Sequence, residues 1–235
     1  KNWSNLWLNE GFATIMESVF IESQYGREEY LKEMKTNANA YFGEESAGIR
    51  HPLQNPRALP NITLFDSTTY KKGAVVINML REQVGDEMFW KSVNNYLNKH
   101  KYQNVESKDL QTAFEQTSGQ NLDWFFEQWV RKAGFPRLKV EPEFDVANKK
   151  LTLKVKQTHK FDEQTSEVFR LFADVEVITP NGTKIEKLEM TQREQIFTFD
   201  VDAKPTKIVF DKREQILKKI DVSGISEIKR LPAEK

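Results

Sequence analysis

Trp3-Ser4-Asn5-Leu6-Trp7-Leu8-Asn9-Glu10-Gly11-Phe12-Ala13-Thr14 gathers bulky apolar side chains around a single carboxylate. Continued by Ile15, Met16, Val19, Phe20 and Ile21, the stretch reads as a helix from Ser4 to about Tyr25, with Ser4 as N-cap and Gly26 as stop. Apolar positions on most sides predict a buried helix rather than a surface one. Glu10 is then the anomaly, because a buried carboxylate is costly unless it is paired, neutralised or bound to a metal. Gly11 beside it lets another backbone or a ligand come close. Glu17 follows seven positions later, displaced by only about 20° around the helix, with Thr14 between the two, so a polar stripe runs along an apolar rod. On residue types alone, a glutamate satisfied in a hydrogen-bond network is favoured over a metal ligand.

Outward from this helix, the pattern predicts a second one at about Glu28 to Tyr41. A loop from Gly43 to about Thr63 carries Pro52, Pro56 and Pro60, and so long a stretch without regular structure suits a segment that is either functional or mobile. Helical periodicity returns from Ser67 to Val84, stopped by Gly85, then at Asp86 to Lys99, Ser107 to Ser118 and Leu122 to Val130. After Gly134-Phe135-Pro136 the period changes from 3.6 to 2. Leu151, Leu153 and Val155 alternate with polar residues, as do Phe172, Val175 and Val177 less strictly, then Ile196, Phe197 and Phe199, then Ile208 and Phe210. Asn181-Gly182 signals a hairpin. With Leu138 to Phe144 and Gln215 to Ile220 added, about seven short strands are expected, a small β-sandwich. The reading is thus a mainly α-helical domain over residues 1–135, an all-β sandwich over 136–221, and a linker or truncated connection over 222–235.

Composition excludes several classes. The 235 residues hold 35 basic and 35 acidic side chains, so no net field draws the chain to nucleic acid or to an anionic membrane. Lys218-Lys219 and Lys229-Arg230, interleaved with acids, read as solvated faces. Cysteine is absent, which removes disulfides and thiolate metal sites and leaves the compartment open. No membrane segment is expected. Trp3, Leu6, Trp7 and Leu8 are buried-type residues where a natural terminus is usually polar, so the sequence is expected to begin in mid-domain. Trp124, Phe125, Phe126 and Trp129 read as core or domain-interface residues rather than a ligand site.

The stretch from Trp3 to Thr14 closely resembles the segment of aminopeptidase N type gluzincins, zinc aminopeptidases, that carries the third zinc ligand. In that family two histidines of a His-Glu-x-x-His helix and a later glutamate in an Asn-Glu-Gly-Phe-Ala context hold the metal; Glu10 matches this glutamate. Two imidazoles and one carboxylate leave Zn²⁺ an open tetrahedral position for a water of lowered pKa. Phe65-Asp66-Ser67-Thr68-Thr69-Tyr70-Lys71-Lys72-Gly73-Ala74 resembles the family segment whose tyrosine donates to the tetrahedral oxyanion, and Tyr70 matches it. Thr14 and Glu17 would then be outer supports of the metal site. Asn121 to Val130 and Gly134-Phe135-Pro136 resemble the end of the family's thermolysin-like catalytic domain, after which many members carry a β-sandwich.

The chain departs from the pattern in what it lacks. No His-Glu-x-x-His occurs, and His51, His100 and His159 have no ligand spacing and are expected to be solvated. The Gly-x-Met-Glu-Asn amine-binding segment and the C-terminal helical domain are also missing. The resemblance implies a parent protein that removes N-terminal residues from peptides with one zinc ion. This chain by itself is expected to bind zinc weakly or not at all and to be inactive. The alternative from another class is a non-catalytic peptidase-like scaffold for protein–protein contacts, for which neither Glu10 nor Tyr70 would be needed. The residues indicate no oligomeric state.

Overall fold

The computed structural model describes residues 3–56, 64–223 and 229–230. The chain divides into two compact units, Lys1–Gly134 with Glu163–Ser166, and Phe135–Asp162 with Glu167–Lys235.

The first unit is helical. A 3₁₀ turn at Trp3–Asn5 leads into α1 (Trp7–Tyr25) and α2 (Arg27–Ser46); a π-helical turn, Thr68–Lys72, runs directly into α3 (Gly73–Val84), followed by α4 (Asp86–Lys99) and α5 (Ser107–Ser118). The short α6 (Asp123–Phe126) continues as a second π turn, Glu127–Arg131. Gly26 and Gly85 end α1 and α3 at φ 90° and 82°, backbone that a side chain would strain. Among these helices α3 is the core element, with every residue from Gly73 to Arg81 buried. The expectation that α1 is covered on most sides is corrected. Trp7, Leu8, Gly11, Thr14, Ile15 and Ser18 are buried on one face, whereas Met16 is 40% and Phe20 64% exposed on the other. The second helix also runs past its expected end, since Ala47 N–H still donates to the carbonyls of Gly43 and Glu44. Part of the expected loop, residues 57–63, lies outside the described residues.

Ions join the helices at one end. Arg81, with a side chain only 5% exposed, reaches Glu22 of α1 at 2.6 Å and Asp86 of α4 at 2.7 Å. Arg27 bridges Glu22 and Glu82, and both guanidinium groups lie over the Tyr30 ring, whose hydroxyl donates to Asn78 at 2.7 Å. Each buried charge of this cluster therefore has its counter-charge, the condition under which such groups are tolerated.

The second unit is a β-sandwich. One sheet has the order β5 (Glu194–Asp200), β2 (Lys150–Gln157), β1 (Arg137–Asp145), β7 (Lys219–Val222), with the two-residue β8 (Lys229–Arg230) also paired to β1; the other is β4 (Gly182–Met190), β3 (Leu171–Thr179), β6 (Lys207–Phe210). Alternate residues of β1, β2 and β3 are buried, the signature of strands with one face on a core. β1 pairs antiparallel with β2 but parallel with β7.

Several expectations for this region change. The hairpin is present, but Thr179 pairs with Gly182, so Pro180-Asn181 forms the turn and Gly182 opens β4. The last strand of the expected seven lies later than Gln215 to Ile220, because the Asp211 carboxylate accepts from the Gln215 and Ile216 amides and holds them in a turn. Lys218 is not solvated: its side chain is 5% exposed and bridges Asp211, which is fully buried. His159 is buried too, edge-on to Phe169 at 5.1 Å. Of the region read as a linker, Val222 belongs to β7 and Lys229–Arg230 to β8; residues 224–228 and 231–235 lie outside the described residues.

Candidate active site

Two glycines bring the site together. A Cβ on Gly11 would meet the Gly73 backbone at 3.0 Å, and one on Gly73 would meet Gly11 Cα at 3.0 Å, so α1 and the start of α3 touch backbone to backbone. Glu10 precedes one glycine and Tyr70 stands one turn before the other. The crossing thereby sets Glu10, in the first turn of α1, against Tyr70, although sixty positions separate them in sequence. Both side chains are half-buried. Burial, then the negative charge of Glu10 and a hydrogen-bonding interaction with its carboxylate, hold the Tyr70 phenol above its ordinary pKa. A phenol so raised stays protonated at neutral pH and remains a donor. The Tyr70 ring lies 6.4 Å from Phe65, which in turn meets Trp3 edge-on at 6.3 Å. Of the remaining expected site residues, Thr14 is buried on α1 and Glu17 is exposed.

The turn carrying Tyr70 is tied down on several sides. Within it, Lys72 N–H donates to Ser67 O, five residues back, at 2.9 Å. Asp66 accepts from the Thr69 amide through Oδ1 at 2.8 Å and from the Tyr70 amide through its backbone oxygen at 3.1 Å. The Ser67 amide donates to Glu44 Oε2 of α2 at 2.7 Å. His51, expected to be solvated, instead puts Nε2 2.6 Å from Asp66 Oδ2. The aspartate three positions before Thr69 is an N-cap signal that the sequence carries. Its histidine partner, from the proline-rich loop, leaves no periodic trace. His100 packs against Tyr96 at 5.5 Å.

Lys72 is a further residue that sequence reasoning missed. Its side chain is fully buried, its ammonium lies 5.4 Å over the Tyr41 ring, and it donates to the Gly134 carbonyl at 3.3 Å. Burial, against the pull of Glu45, lowers its pKa to about 8. Since the unfolded chain keeps an ordinary lysine, it binds the extra proton between that value and about 10.4. Stability must therefore rise with pH across this window. Relative to Lys72→Met, the wild-type chain is expected to gain about 3 kcal/mol between pH 7.5 and 10.5, measured by urea unfolding at each pH. A constant difference would show that the ammonium is solvated.

Asn5 and the Trp7 indole anchor the opening stretch. Asn5 Oδ1 accepts from Ser107 N at 2.9 Å and from Ser107 Oγ at 2.7 Å, while Trp7 Nε1 donates to Ser107 Oγ at 3.0 Å, fixing the entry of α1 to the start of α5. Among the described residues no three His, Cys, Asp or Glu side chains converge to hold a metal ion, and no helix is long and apolar enough to cross a membrane.

Residues 1–129 match the peptidase family M1 domain, and residues 134–212 match a domain of unknown function (DUF3458) with an Ig-like fold. The chain belongs to peptidase family M1. It is 34% identical over 148 residues to tricorn protease-interacting factor F2 of Thermoplasma volcanium, covering 61% of this chain and 19% of that protein. Over 211 residues it is 28% identical to leucyl aminopeptidase of Saccharolobus solfataricus, covering 88% of this chain and 26% of the relative. The crystal structure of Legionella pneumophila aminopeptidase A in complex with aspartic acid superposes with a TM-score of 0.73 at 19% identity, over 94% of this chain and 24% of that one, which shows the fold. The chain thus spans about a quarter or less of the length of these relatives.

Proposed function

We propose that this chain supplies the carboxylate ligand and the oxyanion donor of a zinc aminopeptidase that releases N-terminal residues from peptides. The observation that carries the reading is the meeting of Glu10 and Tyr70 through the Gly11–Gly73 crossing. Membership of peptidase family M1 and relatives named aminopeptidases support it. Glu10 fits one oxygen donor of the metal, with the imidazole donors supplied from outside this sequence; when bound, zinc supplies a water acidic enough to act as nucleophile near neutral pH. The chain's own part is then electrostatic. The Glu10 charge offsets that of a divalent cation, and the protonated Tyr70 phenol, fixed by its tethered turn, donates to the oxygen that becomes negative as the scissile carbonyl turns tetrahedral.

The experiment removes the metal. In the full-length protein that contains this segment, chelation and dialysis are expected to abolish release of an aminoacyl fluorophore, and added zinc to restore it. Full activity in a protein shown by elemental analysis to be metal-free would end this reading. The 235-residue chain alone is expected to show only weak zinc binding by calorimetry, because one carboxylate does not make a three-ligand site.

A further inference from the structure

The structure assigns a task to the proline-rich loop: we propose that His51, held as an imidazolium between the Pro52 carbonyl and the Asp66 carboxylate, is a positioning residue for Tyr70. This rests on the reading of Tyr70 as oxyanion donor.

The protonation state follows from geometry. His51 Nδ1 lies 2.7 Å from Pro52 O and Nε2 lies 2.6 Å from Asp66 Oδ2. A carbonyl oxygen and an ionised carboxylate only accept, so each ring nitrogen must carry a proton, and the ring is a cation. Both partners are sheltered, with side chains 17% and 9% exposed. Asp66 is thereby loaded on each of its acceptor atoms: Oδ2 by the imidazolium, Oδ1 by the Thr69 amide, the backbone oxygen by the Tyr70 amide. Fixing the aspartate fixes the turn from which Tyr70 projects, and a loop far from the Glu10 helix in sequence becomes a strut of the site.

The surrounding charges decide how durable this cation is. Lys72 on the same turn opposes it, and Arg50, Arg131, Lys132 and Glu163 line the cavity of about 370 Å³ beside it, while Glu44 binds the neighbouring Ser67 amide. Burial alone would lower the His51 pKa, but the Asp66 and Pro52 hydrogen bonds outweigh it and raise the value above that of ordinary histidine. With a raised folded-state pKa, the clamp is complete at low pH and weakens as pH rises through that value.

Two measurements test the proposal. In ¹⁵N-imidazole NMR spectra of the 235-residue chain, where only His51, His100 and His159 contribute, the resonances lost in His51→Gln are expected to show two protonated nitrogens at neutral pH. Their titration should lie above that of ordinary histidine and fall in Asp66→Asn. A neutral ring with one bare nitrogen overturns the clamp, whatever Tyr70 does. In the full-length protein, His51→Gln and Asp66→Ala are expected to lower kcat on the order of tenfold with KM and zinc content unchanged, the cost of a donor held out of place. The alkaline fall of kcat that follows the imidazole titration should vanish in His51→Gln. When Tyr70→Phe is already present, His51→Gln should cost nothing more. A loss that persists in that background overturns the positioning role, and so does a Tyr70→Phe protein with full activity, which would leave the imidazolium pair itself intact.

Discussion

Tyr70→Phe in the full-length protein is expected to lower kcat by on the order of 10²–10³ while leaving KM, zinc content and thermal stability close to wild type. The substitution deletes one hydroxyl from a half-buried ring that keeps its contact with Phe65, so little packing is lost. What is lost is a donor that is most useful when the carbonyl oxygen carries charge, and an interaction made chiefly in the transition state appears in kcat rather than KM. Glu10→Ala should contrast with it. There the missing group is both a bond and a negative charge, so zinc affinity and activity should fall together, with excess zinc restoring only part. Steady-state kinetics beside metal stoichiometry separate the two: near-normal kcat in Tyr70→Phe ends the oxyanion assignment, and full zinc in Glu10→Ala ends the ligand assignment.

The second large effect concerns backbone rather than chemistry. Gly73→Ala is expected to destabilise the helical unit by about 1–3 kcal/mol and to cost activity as well. Two effects compete here. Alanine is a better helix former than glycine by up to about 1 kcal/mol, which alone would stabilise α3. Against that, the new methyl would sit 3.0 Å from Gly11 Cα, and a backbone atom cannot turn aside as a side chain can. The clash should win, pushing α1 from the π turn and Glu10 from Tyr70. Gly43→Ala is the internal control. It lies inside α2 with nothing within 4 Å of the added carbon and is expected to stabilise by up to about 1 kcal/mol. Urea denaturation of the two variants should give opposite signs; the same sign would mean that the Gly11–Gly73 contact is not the constraint.

Which parts could be read in advance follows from how local each signal is. α4 and α5 begin and end where periodicity and flanking residues place them, since amphipathic spacing and a stop are encoded within the helix itself. Glu10 is singled out because a charge among tryptophans and leucines would be costly on a helix buried all round, although on the real α1 it is half-buried, and Tyr70 is singled out only by its resemblance to a family segment. That the two meet was not legible from spacing, because the crossing depends on Gly73, one small residue whose partner lies far back in the chain. The same holds for Asp211 with Lys218, where a buried pair resembled a solvated charge run, and for His51, whose role depends on a carboxylate across a proline-rich loop. Phe20 and Met16 erred in the other direction: apolar character did not predict burial, which is decided by what lies opposite.

The excursion of Glu163–Ser166 into the helical unit has a consequence for anyone who cuts or swaps parts of this protein. Ala133 bridges Thr165, Ala133 N–H donates to Gln164 O at 2.7 Å, and Gly134, at φ 81°, has no room for a methyl group because Thr165 Cγ2 would lie 2.9 Å away. The polypeptide passes from one unit to the other three times, after Gly134, Asp162 and Ser166, so neither unit is a single continuous stretch of sequence. A truncation at Gly134 would strip the helical unit of a piece encoded thirty residues downstream, and a chimaera that exchanges the sandwich for a relative's would import a foreign patch into the neighbouring unit. Modular exchange in this protein therefore has to be planned by contacts rather than by a single junction, with residues 163–166 kept in the company of the helices they complete.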